Sequence, residues 1–236
     1  MSTESPYDPE LMAAVTDLGD ALRELLGASV RTTVGAGELA AAAAGARAVS
    51  ARLAASTRHR DQLPSLDDPV AFRRVYSPVT GVGSAIAPPL RIRRERAGGV
   101  VAEATLGSQY EGPPGFLHGG VSSLLMDQLL GAAAMSADRW GMTAHLELDY
   151  RAPVPLDTPL LFRAAVSGTS GRRSTIAGTI ARADRPDRAL VEARGEFVTP
   201  RAELMDSYFG SITDAAGRHA PPGRGATDAT ALDPDA

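Results

Sequence analysis

A single apolar helix set among strand-like runs restricts the fold of this chain more than any other feature. Residues 119–136 read as that helix. Before it, residues 89–96 alternate Leu90 and Ile92 with Arg94, the period of a half-buried strand whose arginines face out. After Gly98-Gly99, residues 100–106 read as the hairpin partner. Four more strand-like runs follow the helix, at residues 142–151, 160–167, 173–182 and 190–198. Between the last three stand Gly168-Thr169-Ser170-Gly171 and residues 183–188, Ala-Asp-Arg-Pro-Asp-Arg, both read as turns. Two strands, one long helix and four strands predict an α+β fold, an antiparallel sheet with one helix laid against it.

The helix carries two faces. Val121, Leu124, Leu125, Leu129 and Ala132 form an apolar stripe predicted to meet the sheet. Asp127 lies off that stripe, beside Ser123, Leu130 and Ala134. A solvated helix face does not look like this, so the helix is expected to be covered on its second side as well. Gly119 and Gly120 open the helix, where backbone N–H groups lack intrahelical partners and the helix dipole is positive. Without side chains there, a ligand oxygen can approach the main chain, and such a place stabilises a developing oxyanion. A glycine pair also serves a plain tight turn, and residue type alone does not decide between the two.

Spacing adds a constraint. Asp127 follows Gly119 by eight residues, about 12 Å along a helix axis, too far for one aspartate side chain to span. If both act on one substrate, the carboxylate comes from a second copy of the helix, antiparallel across a two-fold axis. The predicted assembly is therefore a homodimer at least, with pairing of dimers into a tetramer left open.

Residues 110–120, Tyr-Glu-Gly-Pro-Pro-Gly-Phe-Leu-His-Gly-Gly, are followed by Asp127 and then by residues 142–155, Met-Thr-Ala-His-Leu-Glu-Leu-Asp-Tyr-Arg-Ala-Pro-Val-Pro. This ordered set closely resembles the hotdog-fold acyl-CoA thioesterases, above all their PaaI-like branch, over residues 76–200. The resemblance implies a sheet wrapped around a long central helix and hydrolysis of acyl-CoA to free acid and CoA. It implies that the N–H of Gly119 polarises the thioester carbonyl and that Asp127 of the partner subunit acts as general base or nucleophile. Thr143 would orient the water or the carboxylate, and His118 would shape the turn and contact the thioester region. Gly120 and His145 would line the substrate site, and Arg172 with Arg173, on a hairpin turn, would hold the phosphates of coenzyme A. One departure stands out. Many relatives carry Asn or Gln shortly before His-Gly-Gly, whereas this chain has Glu111-Gly112-Pro113, leaving that role vacant or with Gln109, Glu111 or His145.

Composition removes most other chemistries. The chain has no Cys and no Lys, so thiolate nucleophiles, lysine Schiff bases and Cys-ligated zinc are excluded. Its net charge of −4 gives no reason to expect nucleic acid. The four histidines, His59, His118, His145 and His219, show no metal-ligand spacing, and neither a metal nor a cofactor is expected. Ser122 and Ser123 lack a Gly-x-Ser-x-Gly elbow, and Gly81-Val82-Gly83 lacks the third glycine of a dinucleotide site. A non-catalytic acyl-CoA-binding module, a sensor or an assembly protein, is the competing functional class.

The flanks complete the plan. Residues 1–75 read as a helical extension, with Asp8 capping a helix that starts at Pro9 and stops near Gly27, and a second helix over residues 38–56. Residues 201–236 read as a short helix over 202–212 and, from Gly217, an unstructured tail. The polar, acidic start lacks a signal-peptide pattern and no window of eighteen apolar residues occurs, so no membrane association and a cytoplasmic location are expected.

Overall fold

Helix α3 (Gly119–Ser136) lies in the concave face of a six-stranded sheet. The computed structural model describes residues 8–68, 73–95 and 99–220. The strands are β1 (Arg91–Arg94), β2 (Val100–Thr105), β3 (Met142–Tyr150), β4 (Pro159–Ser170), β5 (Arg173–Arg182) and β6 (Arg185–Val198). Every neighbouring pair is antiparallel, and the sheet order is β1-β2-β4-β5-β6-β3. This is the α+β hotdog arrangement that the sequence predicts, with β3 at one edge.

Glycines in the sheet set how closely the helix lies on it. A Cβ on Gly178 of β5 would come within 2.7 Å of the Met126 methyl, and one on Gly195 of β6 within 3.1 Å of Leu130. Leu125, Met126, Leu129 and Leu130 are fully buried against Phe162, Ile176, Ile180 and Val191. The buried arc differs from the predicted stripe: Leu124 is 40% exposed, whereas Met126 and Leu130 are enclosed. The cause is the leucine pairs 124–125 and 129–130, which spread apolar surface so evenly that periodicity cannot locate the sheet-facing side.

Strand β6 starts five residues earlier than the sequence predicts. Arg182 chelates Asp184 through two contacts of 2.8 Å, closing a tight turn, and Arg185 already pairs with Arg182. The register then shifts before Ala189 meets Ala181, so Pro186 and its neighbours are accommodated in a bulge rather than in a turn.

Helix α1 (Pro9–Arg31) begins as expected, with the Asp8 carboxylate accepting from the N–H groups of Glu10 and Leu11. It continues through Gly27 to Arg31 instead of stopping, because one helical glycine costs only about 1 kcal/mol in a helix held elsewhere. The hold is tertiary. Gly19 is buried against the Val82 carbonyl, and Arg23 donates to the carbonyls of Val82 and Ser84 at 3.0 and 2.7 Å. Helix α2 (Ala36–Ala54) buries no residue, and its Leu39, Val49 and Leu53 are about half exposed.

Helix α4 (Ala202–Phe209) is followed by a strap that returns to the N-terminal part, where Thr213 bridges Gln62. Asp214 accepts from the N–H groups of Ala216 and Arg218, so the chain makes a turn where the tail was expected to begin at Gly217. Residues 221–236 of that tail lie outside the described residues. Among the described residues, no helix is long and apolar enough to cross a membrane.

The glycine contacts give a paired expectation for stability. Gly178→Val should lower unfolding free energy by about 2 kcal/mol, the usual cost of overpacking. Gly27→Ala, whose methyl would meet no atom within 4 Å, should raise it by roughly 0.5–1 kcal/mol. Urea unfolding of both variants beside the parent checks the pair.

Candidate active site

The start of α3 is built by the loop before it. Gly112 donates to the Phe116 carbonyl, Gly115 turns back with φ +82°, and its N–H is held by the Glu111 carboxylate at 2.7 Å. His118 then donates its N–H to the Tyr110 carbonyl, anchoring the loop to the one-turn 3-10 helix Ser108–Tyr110. Burial pushes the Tyr110 hydroxyl up from its ordinary pKa, while a hydrogen bond from Gln109 and the charge of Arg23 oppose that shift. Glu111 is thus engaged by the loop backbone, and Gln109 lies against the Tyr110 hydroxyl.

His118 is the N-cap. Its Nδ1 accepts the Gly120 N–H at 3.0 Å, and its carbonyl accepts from Val121 and Ser122 at 2.9 and 3.2 Å. Two consequences follow. A trans peptide sets N–H opposite C=O, so the Gly119 N–H points away from the helix, and it finds no acceptor among the described residues. A neutral imidazole that accepts at Nδ1 carries its proton on Nε2, which makes that nitrogen a donor. The Gly120 N–H, in contrast, is already engaged.

Farther along α3, the Thr143 hydroxyl donates to Asp127 Oδ1 at 2.8 Å. The structure thus brings these two candidate site residues into direct contact. A bulge makes it possible. Thr143 pairs with Phe197, which packs beneath the helix at Gly131, whereas His145 pairs with Glu196, whose acid group meets Arg173 on the outer face. Ala144 is the extra residue, so Thr143 and His145 face opposite sides of the sheet. His145 was expected in the substrate site, but the structure does not bring it to Asp127. A regular strand would have kept both on one side.

Tyr150, at the end of β3, was not anticipated as a site residue. Its hydroxyl donates to the Gly119 carbonyl at 2.8 Å and lies 3.2 Å from Ser123 Oγ. Arg139 was also missed. It ties the β4–β5 turn by donating to the Gly171 carbonyl at 2.7 Å and to Ser174 Oγ at 3.1 Å. On that turn, Arg172 donates to the Thr199 carbonyl at 2.7 Å and Arg173 pairs with Glu196 at 3.2 Å. No local pattern announces Tyr150 or Arg139, since each acts on a residue more than thirty positions away. Among the described residues, no group of three or more His, Asp or Glu is placed to hold a metal ion.

The fold and this helix define a hotdog protein whose α3 begins with an unpartnered Gly119 N–H and carries farther along a carboxylate, Asp127, held by Thr143. A family model described as "Thioesterase superfamily" matches residues 114–189. A crystal structure of a thioesterase superfamily protein is 35% identical, with a TM-score of 0.70 over 78% of this chain and 94% of that one. The chain belongs to the thioesterase superfamily. Acyl-coenzyme A thioesterase THEM4 of Xenopus laevis is 39% identical over 67 residues, covering 28% of this chain and 30% of that protein. The Rattus norvegicus protein of that name is 33% identical over 78 residues, 33% of this chain and 34% of its own. The chain thus spans about a third of the length of the curated relatives it matches.

The cap at His118 has a measurable weight. His118→Asn keeps an acceptor beside the helix start and should leave thermal stability close to that of the parent. His118→Leu should cost about 1 kcal/mol. Equal melting curves for the two variants would remove the capping role.

Proposed function

We propose that this protein hydrolyses the thioester bond of an acyl-CoA, releasing a free acid and CoA, at a site shared by two subunits of a homodimer. The observation that carries the reading is the pairing on one helix of an unpartnered Gly119 N–H and a carboxylate held by Thr143. The names of the curated relatives support the same class of substrate.

The chemistry then needs only groups this chain supplies. The thioester carbonyl oxygen accepts the Gly119 N–H at the positive end of α3, with the His118 Nε2–H as the second donor. Asp127 of the partner subunit takes a proton from water, whose oxygen bonds to the acyl carbon. When the tetrahedral intermediate collapses, the carbon–sulfur bond breaks, the CoA sulfur receives the proton, and the acid is released. Thr143 fixes one oxygen of the carboxylate, leaving the other for the water. Whether Asp127 instead adds directly to the acyl carbon is a choice between base and nucleophile that the same residue serves.

The shared site rests on the unbroken helix between Gly119 and Asp127, and on what lies open beside it. Leu124 is exposed, Ser123, Asp127, Gln128 and Gly131 are half-buried, and β3 ends the sheet with one edge unpaired. A two-fold axis there brings each Gly119 toward the partner's Asp127. Arg172, whose guanidinium meets only a neutral carbonyl among the described residues, is the better phosphate ligand, since Arg173 is already paired with Glu196. Residues 76–200 form the catalytic unit in this reading, and of the helices in residues 1–75 it is α1 that docks on it as a cap.

Thiol release from a short panel of acyl-CoAs tests the activity. Asp127→Asn should lower turnover by at least about a hundredfold while acyl-CoA still binds; retained turnover would overturn the mechanism, and binding without turnover by the parent would favour a non-catalytic module. Subunit sharing has its own test. Gly119→Pro removes the N–H at a helix position that tolerates proline. Random mixed dimers of Gly119→Pro and Asp127→Asn should recover roughly a quarter of parental activity, because half of the dimers are mixed and each has one intact site. No recovery would place both groups in one subunit.

A further inference from the structure

We propose that Tyr150 is a positioning residue for the oxyanion donor, a tertiary clamp that holds the first turn of α3 so that the Gly119 N–H keeps one direction. This rests on the thioesterase reading above and extends it to a residue that makes no contact with the reacting atoms.

A helix that opens with Gly119-Gly120 is physically weak where the chemistry needs it most rigid. Glycine loses more backbone freedom on ordering than any other residue, and helix ends fray first. The peptide planes on the two sides of Gly119 turn independently about its φ and ψ, so fixing the N–H requires fixing both. The plane before Gly119 is held by the His118 carbonyl, which accepts from Val121 and Ser122. The plane after it is held by the Gly119 carbonyl, which accepts from the Tyr150 hydroxyl at 2.8 Å and from Ser123 Oγ at 3.2 Å.

Of those ties, only the one from Tyr150 comes from another element. The bonds from Val121, Ser122 and Ser123 belong to the helix and are lost together when its first turn opens. Tyr150 sits on β3, 31 residues away, and β3 is paired along its length with β6. The tie is not a by-product of core packing, because Tyr150 is 53% exposed. It also explains the residue it holds. A Cβ on Gly119 would lie 3.3 Å from the tyrosine oxygen, tighter than ordinary contact.

The same strand braces the other half-site, since Thr143 at its start holds Asp127. Strand β3 therefore runs beside α3 as a splint, joined to it at the carboxylate by Thr143 and at the oxyanion donor by Tyr150. Preorganised donors act because they need no reorganisation as charge develops, so loosening this end lowers the rate of the chemical step more than substrate binding.

The experiment is Tyr150→Phe, which deletes the hydroxyl and keeps the ring, assayed beside the parent and Asp127→Asn. The expected result is a fall in kcat of about tenfold with KM within about twofold, an unchanged melting temperature, and faster amide hydrogen exchange in the segment containing Gly119 and Gly120. An unchanged kcat, or unchanged exchange in that segment, overturns the proposal. So does a kcat loss matched by a lower melting temperature, which would identify an ordinary structural tie. Failure of the thioesterase reading is separable: it shows as absent turnover in the parent, or as turnover retained in Asp127→Asn, while the exchange measurement still decides the clamp.

Discussion

Enclosure of one helix by one sheet is the constraint on which the rest of this structure depends. Met126 and Leu130 lie as close to the sheet as they do because Gly178 and Gly195 leave room beneath them, and Leu125 and Leu129 are buried beside them. That contact fixes the rotation of α3 about its own axis. Once the rotation is set, Asp127 is carried to the margin of the buried arc, within reach of Thr143, and Gly119 is carried to the end of β3 under Tyr150. Packing in the core thus decides where two polar groups at the rim must be.

Such an arrangement is legible in sequence to the extent that it is written in local patterns. The cap at Asp8 and the extent of α3 follow from residue types and spacing that act within a few positions, whereas Thr143 beside Asp127 is implied only by the resemblance to a family. What escaped reading depends on contacts distant in sequence. Leucine pairs on α3 leave its rotation undetermined until the sheet glycines are in place. The bulge at Ala144 turns His145 to the outer face, and nothing in the alternation of residues 142–150 marks it. Tyr150 and Arg139 act on carbonyl oxygens, acceptors that every residue carries, so no residue type signals the partner.

A chain with neither lysine nor cysteine has a narrow choice of catalytic groups, and the mechanism proposed above uses that narrowness consistently. Its electrophilic element is a main-chain N–H, available because glycine exposes it and because the His118 carbonyl aims it outward. Its basic element is a carboxylate whose hydrogen-bond partner is a hydroxyl rather than a cation. The threonine orients the carboxylate through one hydrogen bond and places no charge beside it. Among the described residues, the arginine ion pairs lie elsewhere.

Their placement bears on which surface a second subunit could use. The outward face of the sheet carries Arg93 with Glu103, Arg163 with Glu95, Arg173 with Glu196, and Arg151 with Asp149 and Glu192, all exposed pairs. Pairs of this kind contribute little to stability, but removing them from water would be costly, so they keep that face wet. The opposite character prevails along α3, the end of β3 and the loop before the helix, where Phe116, Leu124 and Tyr150 are each at least 39% exposed. An apolar margin next to an unpaired sheet edge is unfavourable in isolation, both for its exposed side chains and for its free backbone groups. It is also the margin on which Gly119 and Asp127 stand. The surface that most needs a partner and the two groups that need to be brought together therefore coincide, which is why the proposed two-fold contact belongs there and not on the charged back of the sheet.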